Sequence, residues 1–350
     1  MTDKVLVTGA TGFIAQHCIL QLLEAGYQVR GTARGAGRTH EVAEVLSPHL
    51  SSAHQARLAQ DFEVVAADLL SDEGWGAAVR DCRFVLHVAS PFPPENPKNE
   101  DELIIPARDG ALRVLRAANT ANVQRVVMTS SIAAVSYGRA HDHVFSEVDW
   151  SDVEGPHIGA YEKSKTLAER AAWDFMTSLG PDASMDLVTI NPGLVLGPLL
   201  TKEWSLSAEL VKKMMERAVP AIPDIRVVGI DVRDVAQAHV LAMTTPAASG
   251  QRFLCAIESH PIRDIALILA EHLKDKGFKI PTGKLPGFLL PIIAIWDKQV
   301  RLVLPDVGKP FEINNTKIKT VLGLEPRSLA EMSTSMADSL ITYNVVVAKS

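Results

Sequence analysis

A glycine-rich turn between the first aliphatic run and the first helical pattern constrains the fold of this chain more than any other feature. The octapeptide TGATGFIA places Gly9, Gly12 and Ala15 in a GxxGxxA spacing. Gly9 permits a tight turn, Gly12 lets the backbone approach a phosphate, and the small Ala15 lets helix and strand pack closely. The helix N-terminus, which opens with Phe13 and Ile14, offers free N–H groups to an anion. Because such a loop needs a strand before it and a helix after it, it predicts a dinucleotide-binding α/β fold.

Short apolar runs alternate with longer helical patterns over the first half of the chain. Strands are predicted at Lys4–Thr8, Gln28–Ala33, Phe62–Ala66, Phe84–Val88, Arg125–Thr129 and Asp186–Ile190. Helices are predicted at Phe13–Ala25, Glu102–Ala121 and Ala160–Ser178. Several strands are continuous apolar runs, as expected where helices cover both faces of a parallel sheet. The alternation predicts right-handed βαβ units in a doubly wound parallel sheet, the Rossmann architecture.

The regular alternation ends after residue 193, where prolines become frequent. The segment Arg226–Met243 resembles one more strand and helix that return to the large domain. We therefore predict a Rossmann domain of residues 1–193 plus about 226–245. A smaller, mixed substrate-binding domain is predicted for about 194–225 plus 250–350.

Composition and charge restrict the class of protein. Hydrophobic residues make up 47% of the chain and charged residues 22%, which suffices for a large core. The formal net charge of −6 lacks the basic footprint of a nucleic-acid binder. Three cysteines, Cys18, Cys82 and Cys255, form no CxxC pair, so we expect neither disulfides nor a metal site.

Membrane and targeting signals are weak in this sequence. The apolar segment Leu285–Trp296 is too short for a bilayer span and contains prolines, which favours a core or pocket-lining role over a membrane-facing lid. No basic segment with a cleavage-like site precedes the first strand. We therefore expect no membrane partner and a cytoplasmic location.

The end of the second predicted strand selects between the nicotinamide cofactors. An acidic residue there binds a ribose 2′-hydroxyl, whereas an arginine accommodates a 2′-phosphate. The sequence continues from Ala33 to Arg34, with no acidic residue before Glu41. Arg34 is thus the candidate for the 2′-phosphate, and NADP(H) is the predicted cofactor. Arg38 alone is better explained as a solvated loop cation.

A tyrosine and a lysine four residues apart form the candidate catalytic pair. Tyr161 and Lys165 would share one face of a helix. A free tyrosine has a pKa of about 10, which a neighbouring ammonium and a nicotinamide ring would lower. A strand end at Ser130 and Ser131 supplies a hydroxyl for a substrate oxygen. Each pattern alone also fits ordinary packing or a turn, so their combination carries the prediction.

These residues together resemble the extended short-chain dehydrogenases/reductases. The loop, the serine strand end and the YxxxK pair occur in that family's order. The resemblance is strongest to dihydroflavonol reductase, cinnamoyl-CoA reductase and methylglyoxal reductase-like carbonyl reductases. It rests on GFIAQH at 12–17, LHVASPF at 86–92, LIIPA at 103–107, AERAAW at 168–173, NPG at 191–193 and IDVRDVA at 230–236. The resemblance to this family is weaker over Pro281–Lys309.

The resemblance implies roles for individual residues. Ser131, Tyr161 and Lys165 would be catalytic, with Tyr161 protonating the oxygen of a carbonyl that receives hydride. The resemblance prefers Ser131 to Ser130 because the second serine is the active one. Cofactor contacts are implied for Gly9, Gly12, Phe13, Ile14, Asp68, Leu69, Val88, Ala89, Tyr161, Lys165, Pro192 and Gly193.

The expected activity is NADPH-dependent reduction of an aldehyde, ketone or keto ester by a monomer or homodimer. A hydroxysteroid dehydrogenase, a nucleotide-sugar epimerase or dehydratase, and an NADPH-sensing regulator remain alternatives. Aromatic residues form only 5% of the chain, which favours smaller carbonyl substrates. Aromatic side chains that would still line a larger pocket are Phe92, Tyr137, Trp204 and Phe288.

Other polar residues have structural explanations. His87 on a buried strand is expected to be a hydrogen-bonded core histidine. Asp231, Arg233 and Asp234 are expected to form an ion pair or a helix cap. The amphipathic stretch Ser207–Ala218 predicts a helix that packs on the core, and its position would also let it wall the pocket.

Overall fold

The computed structural model describes residues 3–91, 99–140, 143–203, 206–293, 304 and 307–348. Two sheets form the framework of this part of the chain. Their strands are β1 Lys4–Val7, β2 Gln28–Ala33, β3 Phe62–Ala66, β4 Phe84–His87, β5 Arg125–Thr129, β6 Asp186–Pro192, β7 Leu194–Leu196, β8 Arg226–Asp231, β9 Arg252–Cys255 and β10 Ser259–Pro261. A seven-stranded sheet has the order β3-β2-β1-β4-β5-β6-β9, and a three-stranded sheet has the order β10-β8-β7.

Thirteen α-helices surround the sheets in the described ranges. They are α1 Phe13–Glu24, α2 Thr39–Leu46, α3 Ser52–Gln55, α4 Leu58–Asp61, α5 Trp75–Val79, α6 Asp101–Thr120, α7 Ala160–Ser178, α8 Leu206–Met215, α9 Val232–Thr244, α10 Ile262–Leu273, α11 Leu290–Ile293, α12 Thr316–Leu322 and α13 Leu329–Thr342. The predicted strands and helices are confirmed, with ends that agree to within two residues except at α8, which ends at Met215 and not at the predicted Ala218. Their match reflects how directly apolar runs and helical periodicity report local structure.

All neighbouring strands of the large sheet are parallel, which confirms the predicted doubly wound α/β fold. Val5 on β1 pairs with Val29 on one side and Phe84 on the other. Strand order therefore reverses at β1, between β2 and β4. In open α/β sheets such a reversal opens a crevice at the carboxyl ends of the strands, where ligands bind.

The second sheet and the last strand of the first sheet differ from the sequence prediction. The segment Arg226–Met243 was expected to return to the large domain as strand and helix. The helix α9 does pack on α1, but β8 pairs with β7 and β10 in the small sheet. The returning strand is instead β9, which lies in the 250–350 region assigned to the smaller domain and pairs with β6. The two-domain division itself stays a prediction.

The apolar segment near residue 290 is only partly buried. Leu290 is buried, whereas Phe288 is 75% exposed. Trp296, at the end of the predicted core segment, lies outside the described residues. Across the described ranges, no helix combines the length and the apolar character needed to cross a bilayer.

Candidate active site

A cleft of about 740 Å³ lies along the carboxyl ends of the central strands. This volume is in the range of small-molecule and cofactor sites. The cleft brings together most of the predicted site residues: Gly9, Gly12, Phe13, Ile14, Val88, Ala89, Ser131, Tyr161, Lys165, Pro192 and Gly193. The cleft is also lined by residues of the glycine-rich loop, the serine strand end and the amphipathic stretch that the sequence analysis considered, namely Thr11, Ala15, Ser130, Ser207 and Glu209. Ser90, Thr129 and Val195 line it without having been assigned to the site from the sequence.

The glycine-rich loop forms a cradle at one end of the cleft. Gly9 has a φ of +71°, and a Cβ there would lie 2.9 Å from the Cβ of Ala89. Thr32 holds the loop, since its Oγ1 accepts a hydrogen bond from the Gly9 N–H at 3.1 Å. Gly12 is the N-cap of α1 and brings no side chain to the helix N-terminus. The cradle thus fits a phosphate group that approaches the N–H groups of the first turn.

The end of β4 is fixed by a buried hydrogen-bond chain. Thr8 Oγ1 lies 2.9 Å from His87 Nδ1 and accepts a hydrogen bond from the Ala89 N–H, also at 2.9 Å. Burial and the charge of Lys165 lower the pKa of His87 to about 3. His87 is therefore neutral at physiological pH, and its expected role as a hydrogen-bonded core histidine is confirmed.

The two arginines after β2 have different surroundings. Arg34 is exposed and directly follows the strand whose Thr32 contacts the glycine-rich loop. Arg38 is tied to Glu41 by a hydrogen bond of 2.7 Å from its Nε, as expected for a loop cation. Arg34 does not line the described cleft. Its contact with a 2′-phosphate stays a prediction that its position after β2 supports.

Asp68 and Leu69 shape the turn after β3. Asp68 Oδ1 accepts a hydrogen bond from the Leu70 N–H at 3.0 Å, and its carbonyl accepts one from Trp75 Nε1 at 3.0 Å. Arg113 donates to the Leu69 carbonyl at 2.8 Å. The turn lies outside the described lining of the cleft, on the β3 side of the sheet. The adenine-contacting role of this pair stays a prediction.

Helix α7 presents the candidate catalytic pair. The helix begins at Ala160, where the N-cap Gly159 donates its N–H to the Glu162 carboxylate at 3.0 Å. Tyr161 lies in the first turn and Lys165 one turn later, with the Lys165 Nζ 5.8 Å from the centre of the Tyr161 ring. The capped helix start thus holds both side chains on the cleft side.

The protonation states of Tyr161 and Lys165 depend on their burial. Burial raises the pKa of Tyr161 above its ordinary value, and a hydrogen bond with Ser131 only partly opposes this rise. The expected lowering by the neighbouring ammonium together with a nicotinamide ring stays a prediction for the cofactor-bound site. Burial also lowers the pKa of Lys165 to about 8, against the opposing charge of Glu169. The phenol is thus in its protonated form, and a nearby positive charge would make it a stronger proton donor.

The two serines after β5 face different partners. Ser131 Oγ accepts a hydrogen bond from the Ala133 N–H at 3.1 Å and also hydrogen-bonds Tyr161. Ser130 Oγ instead donates to the Glu169 carboxylate at 2.5 Å. Ser131 is thus the serine that shares the proton-donating end of the cleft with Tyr161. A phenol beside a hydroxyl can polarise and protonate a carbonyl oxygen.

Helix α8 walls the far end of the cleft. Ala208, Val211 and Met214 are buried in the core. Ser207 and Glu209, which precede and follow Ala208, line the cleft. The amphipathic helix therefore has both roles considered from its sequence. The sequence did not single out Ser207 and Glu209, because their polarity does not distinguish them from Lys212 and Lys213 on the same helix.

The aromatic residues considered for the pocket do not form its described wall. Phe92 and Trp204 lie outside the described residues. Tyr137 and Phe288 are absent from the described lining. Asp231 and Asp234 have the structural roles expected: Asp231 caps α9, and Asp234 pairs with Arg327. No metal-binding group of three or more His, Cys, Asp or Glu side chains occurs among the described residues.

Comparisons with known proteins agree with this geometry. The model of the NAD dependent epimerase/dehydratase family matches residues 5–256. Cinnamoyl-CoA reductase CAD2 from Medicago truncatula is 36% identical over 77% of this chain and 80% of its own. NADPH-dependent methylglyoxal reductase GRE2 from Saccharomyces cerevisiae is 30% identical over 97% of this chain and 98% of its own. The crystal structure of yeast methylglyoxal/isovaleraldehyde reductase Gre2 complexed with NADPH has a TM-score of 0.80 at 29% identity and covers 98% of this chain and 99% of that chain.

Proposed function

Because the chain belongs to the NAD dependent epimerase/dehydratase family, the extended short-chain dehydrogenases/reductases, we propose that it reduces a small carbonyl compound to an alcohol. Family membership and the reductase relatives make it an oxidoreductase with NADP(H) as its cofactor. The observation that carries the proposal is the position of Tyr161, hydrogen-bonded to Ser131 inside the cleft. A phenol so placed can donate the proton that the carbonyl oxygen takes up in reduction.

The cradle at Gly9 and Gly12 and the strand ends at Ala89 and Gly193 would hold the dinucleotide. NADPH, when bound, supplies the hydride for the carbonyl carbon. Pro192 and Gly193, at the end of β6, would lie against the nicotinamide. The exposed Arg34 after β2 supports a preference for the 2′-phosphate of NADPH, through charge-assisted hydrogen bonds.

The three catalytic side chains would each have a separate role at the carbonyl oxygen. Tyr161 donates the proton and Ser131 orients the oxygen through its hydroxyl. The ammonium of Lys165, near the Tyr161 ring, stabilises the phenolate that remains after proton transfer. Its position on the same cleft wall also suits hydrogen bonding to the nicotinamide ribose.

We propose a neutral aldehyde, ketone or keto ester as the substrate. The substrate end of the cleft carries Val195, Ser207 and the carboxylate of Glu209. Glu209 lies 3.9 Å from Lys212 Nζ, and Lys212 also pairs with Glu216 at 3.0 Å, so these three side chains together keep one net negative charge, which disfavours an anionic substrate. GRE2 is named for methylglyoxal, a neutral carbonyl, and CAD2 for a CoA thioester, which is polyanionic. The Glu209 carboxylate favours the first kind of substrate.

The test follows absorbance at 340 nm with purified protein, NADPH or NADH, and a carbonyl panel. The panel contains methylglyoxal, branched aldehydes, β-keto esters, aryl ketones and dihydroflavonols. We expect NADPH oxidation with at least one neutral carbonyl, and loss of about 10²–10⁴-fold in kcat for Tyr161→Phe. Tight NADPH binding without turnover of any carbonyl would refute the proposal. Nucleotide sugars and hydroxysteroids would then be tested in the same assay, for the alternative dehydrogenase and epimerase functions.

A further inference from the structure

A buried carboxylate lies directly beneath the proposed catalytic pair. Glu169 follows Lys165 by one helical turn on α7, so Tyr161, Lys165 and Glu169 form one stripe along the helix. Glu169 is fully buried. An ionised carboxylate in such a place is costly unless charged and hydrogen-bonding partners surround it.

Glu169 has a complete set of such partners. Arg252 on β9 donates from Nε at 2.7 Å. Ser130 Oγ donates at 2.5 Å, Asn191 Nδ2 at 2.7 Å and Thr189 Oγ1 at 2.9 Å. These donors come from the residue after β5, from β6 and from the first residue of β9, so one carboxylate joins three neighbouring strands to α7.

Arg252 is itself held from the opposite side. Its Nη1 donates to the carbonyls of Glu147 and Asp149, both at 2.7 Å. Its guanidinium lies 3.7 Å from the centre of the Trp150 ring. The Arg252 guanidinium is thus held by contacts on both sides. These contacts restrict its movement when the Glu169 side chain shifts. Apolar residues of the same size would stabilise a core at least as well as a buried ion pair, so stability alone does not explain this pair.

The same network reaches the backbone of the proposed catalytic serine. Ser130, which donates to Glu169, is bonded directly to Ser131 in the chain. Asn191 Nδ2 donates to the Ser131 carbonyl at 3.2 Å and to Glu169. Asn191 in turn precedes Pro192, which lines the cleft. Glu169 is therefore connected to the Ser131 backbone by two routes, through Ser130 in the same segment and through Asn191 on the neighbouring β6.

We propose that Glu169, anchored by Arg252, is a positioning residue for the reductase: it fixes Ser131 opposite Tyr161 and places a negative charge beneath Lys165. The inference rests on the proposed reductase function. Within the part of the chain that the structure describes, the titratable groups that interact with Lys165 are Tyr161 and Glu169 on its own helix and His87 on β4. Because His87 stays neutral, Glu169 is the charge that favours the ammonium form of Lys165.

Glu169→Gln tests this role in steady-state reduction of the best carbonyl substrate. We expect kcat to fall roughly 10–100-fold, the loss typical of a misplaced catalytic group, with KM and the NADPH Kd within about threefold of wild type. The alkaline limb of the kcat pH profile should move to lower pH, because removal of the negative charge lowers the pKa of Lys165 further. If the Glu169–Arg252 pair only stabilised the fold, Glu169→Gln would change neither the position of the alkaline limb nor the ratio of kcat to KM.

A matched control is Asp186→Asn, at the other end of the same strands. Asp186 begins β6 and accepts a hydrogen bond from Arg125 Nε at 2.6 Å, where Arg125 begins β5. This variant also breaks an arginine–carboxylate pair on β5 and β6, but far from the cleft. It should lower the melting temperature and leave kcat and its pH profile unchanged.

The double variant Glu169→Gln and Arg252→Gln guards against misfolding of the single variant, because it leaves no unpaired buried charge. Reduced kcat and a shifted pH limb in the folded double variant would support the positioning role. Wild-type kcat and pH profile in either folded variant would overturn it. A wild-type protein that reduces no carbonyl would instead overturn the proposed function, and this inference with it.

Discussion

The charge on Lys165 is expected to lower the free energy of unfolding of the protein. Its pKa falls from 10.5 to about 8 because the ammonium is removed from water. At 1.36 kcal/mol for each pKa unit, the difference corresponds to about 3 kcal/mol between the two protonation states. Since the side chain is half-buried, solvent screening reduces the expected cost to about 1–3 kcal/mol. Lys165→Met, which keeps the apolar stem without the charge, should therefore raise the free energy of unfolding at pH 7.

The sign of the pH dependence follows from proton counts. Between pH 8 and 10.5 the unfolded chain holds a proton on Lys165 that the folded chain has released. The unfavourable contribution of Lys165 to the free energy of unfolding therefore becomes smaller as the pH rises from 8 to 10.5. Below pH 8 the buried ammonium destabilises the protein by its full amount. The advantage of Lys165→Met over wild type should be largest at pH 7 and disappear as the pH approaches 10.5.

Urea denaturation of both proteins without cofactor, at pH 7 and near pH 10, measures the difference. The matched control is Lys163→Met on the same helix, because Lys163 makes an ion pair of 2.8 Å with Glu100 near the surface. That pair raises the pKa of Lys163, so its removal should give no stabilisation. A Lys165→Met variant that is less stable than wild type at pH 7, or an advantage that does not change with pH, would refute the reasoning. The same variant should lose reductase activity, which separates stability from function.

Two further positions test how the protein selects its cofactor and its substrate. Arg34→Ala should raise the KM for NADPH by about tenfold or more and leave the KM for NADH nearly unchanged, since a charge-assisted phosphate contact is worth about 1.5–3 kcal/mol. Arg38→Ala, which removes the arginine paired with Glu41, is the control; equal effects of the two variants would contradict the assignment. Glu209→Lys should increase kcat/KM for an anionic carbonyl relative to a neutral one of similar size, and Glu209→Gln should have an intermediate effect. Steady-state kinetics with both substrates measure the ratio, and an unchanged ratio would show that Glu209 does not select by charge.

The elements that carry local signals were predictable from the sequence. The glycine-rich loop and the YxxxK pair each depend on residues within one turn or one helix, so their spacing alone indicates their geometry. The pairing of β9 was not predictable in this way. Arg252–Cys255 and Arg226–Asp231 are both short apolar runs, and their choice of sheet depends on contacts with strands far away in the chain.

The electrostatics of the site depend on burial, which the sequence does not report. Tyr161 has a lysine one turn away, but the pKa of Tyr161 rises because burial removes the phenol from water. In the sequence, Glu169 is one of several charged residues of α7, and nothing distinguishes it from a solvated surface residue. Its role becomes visible only with Arg252, which lies on a strand whose place in the sheet the sequence did not predict.

The chain passes from the large sheet to the small one in a single residue. β6 ends at Pro192, β7 begins at Leu194, and between them a Cβ on Gly193 would lie 2.1 Å from the Val228 carbonyl oxygen. At this point the two sheets are joined by one glycine whose position leaves no room for a side chain. Pro192 and Gly193 line the cleft, and so does Val195 of the small sheet two residues later. A residue larger than glycine at position 193 would therefore push β8 away from this junction and change the shape of the cleft beside it.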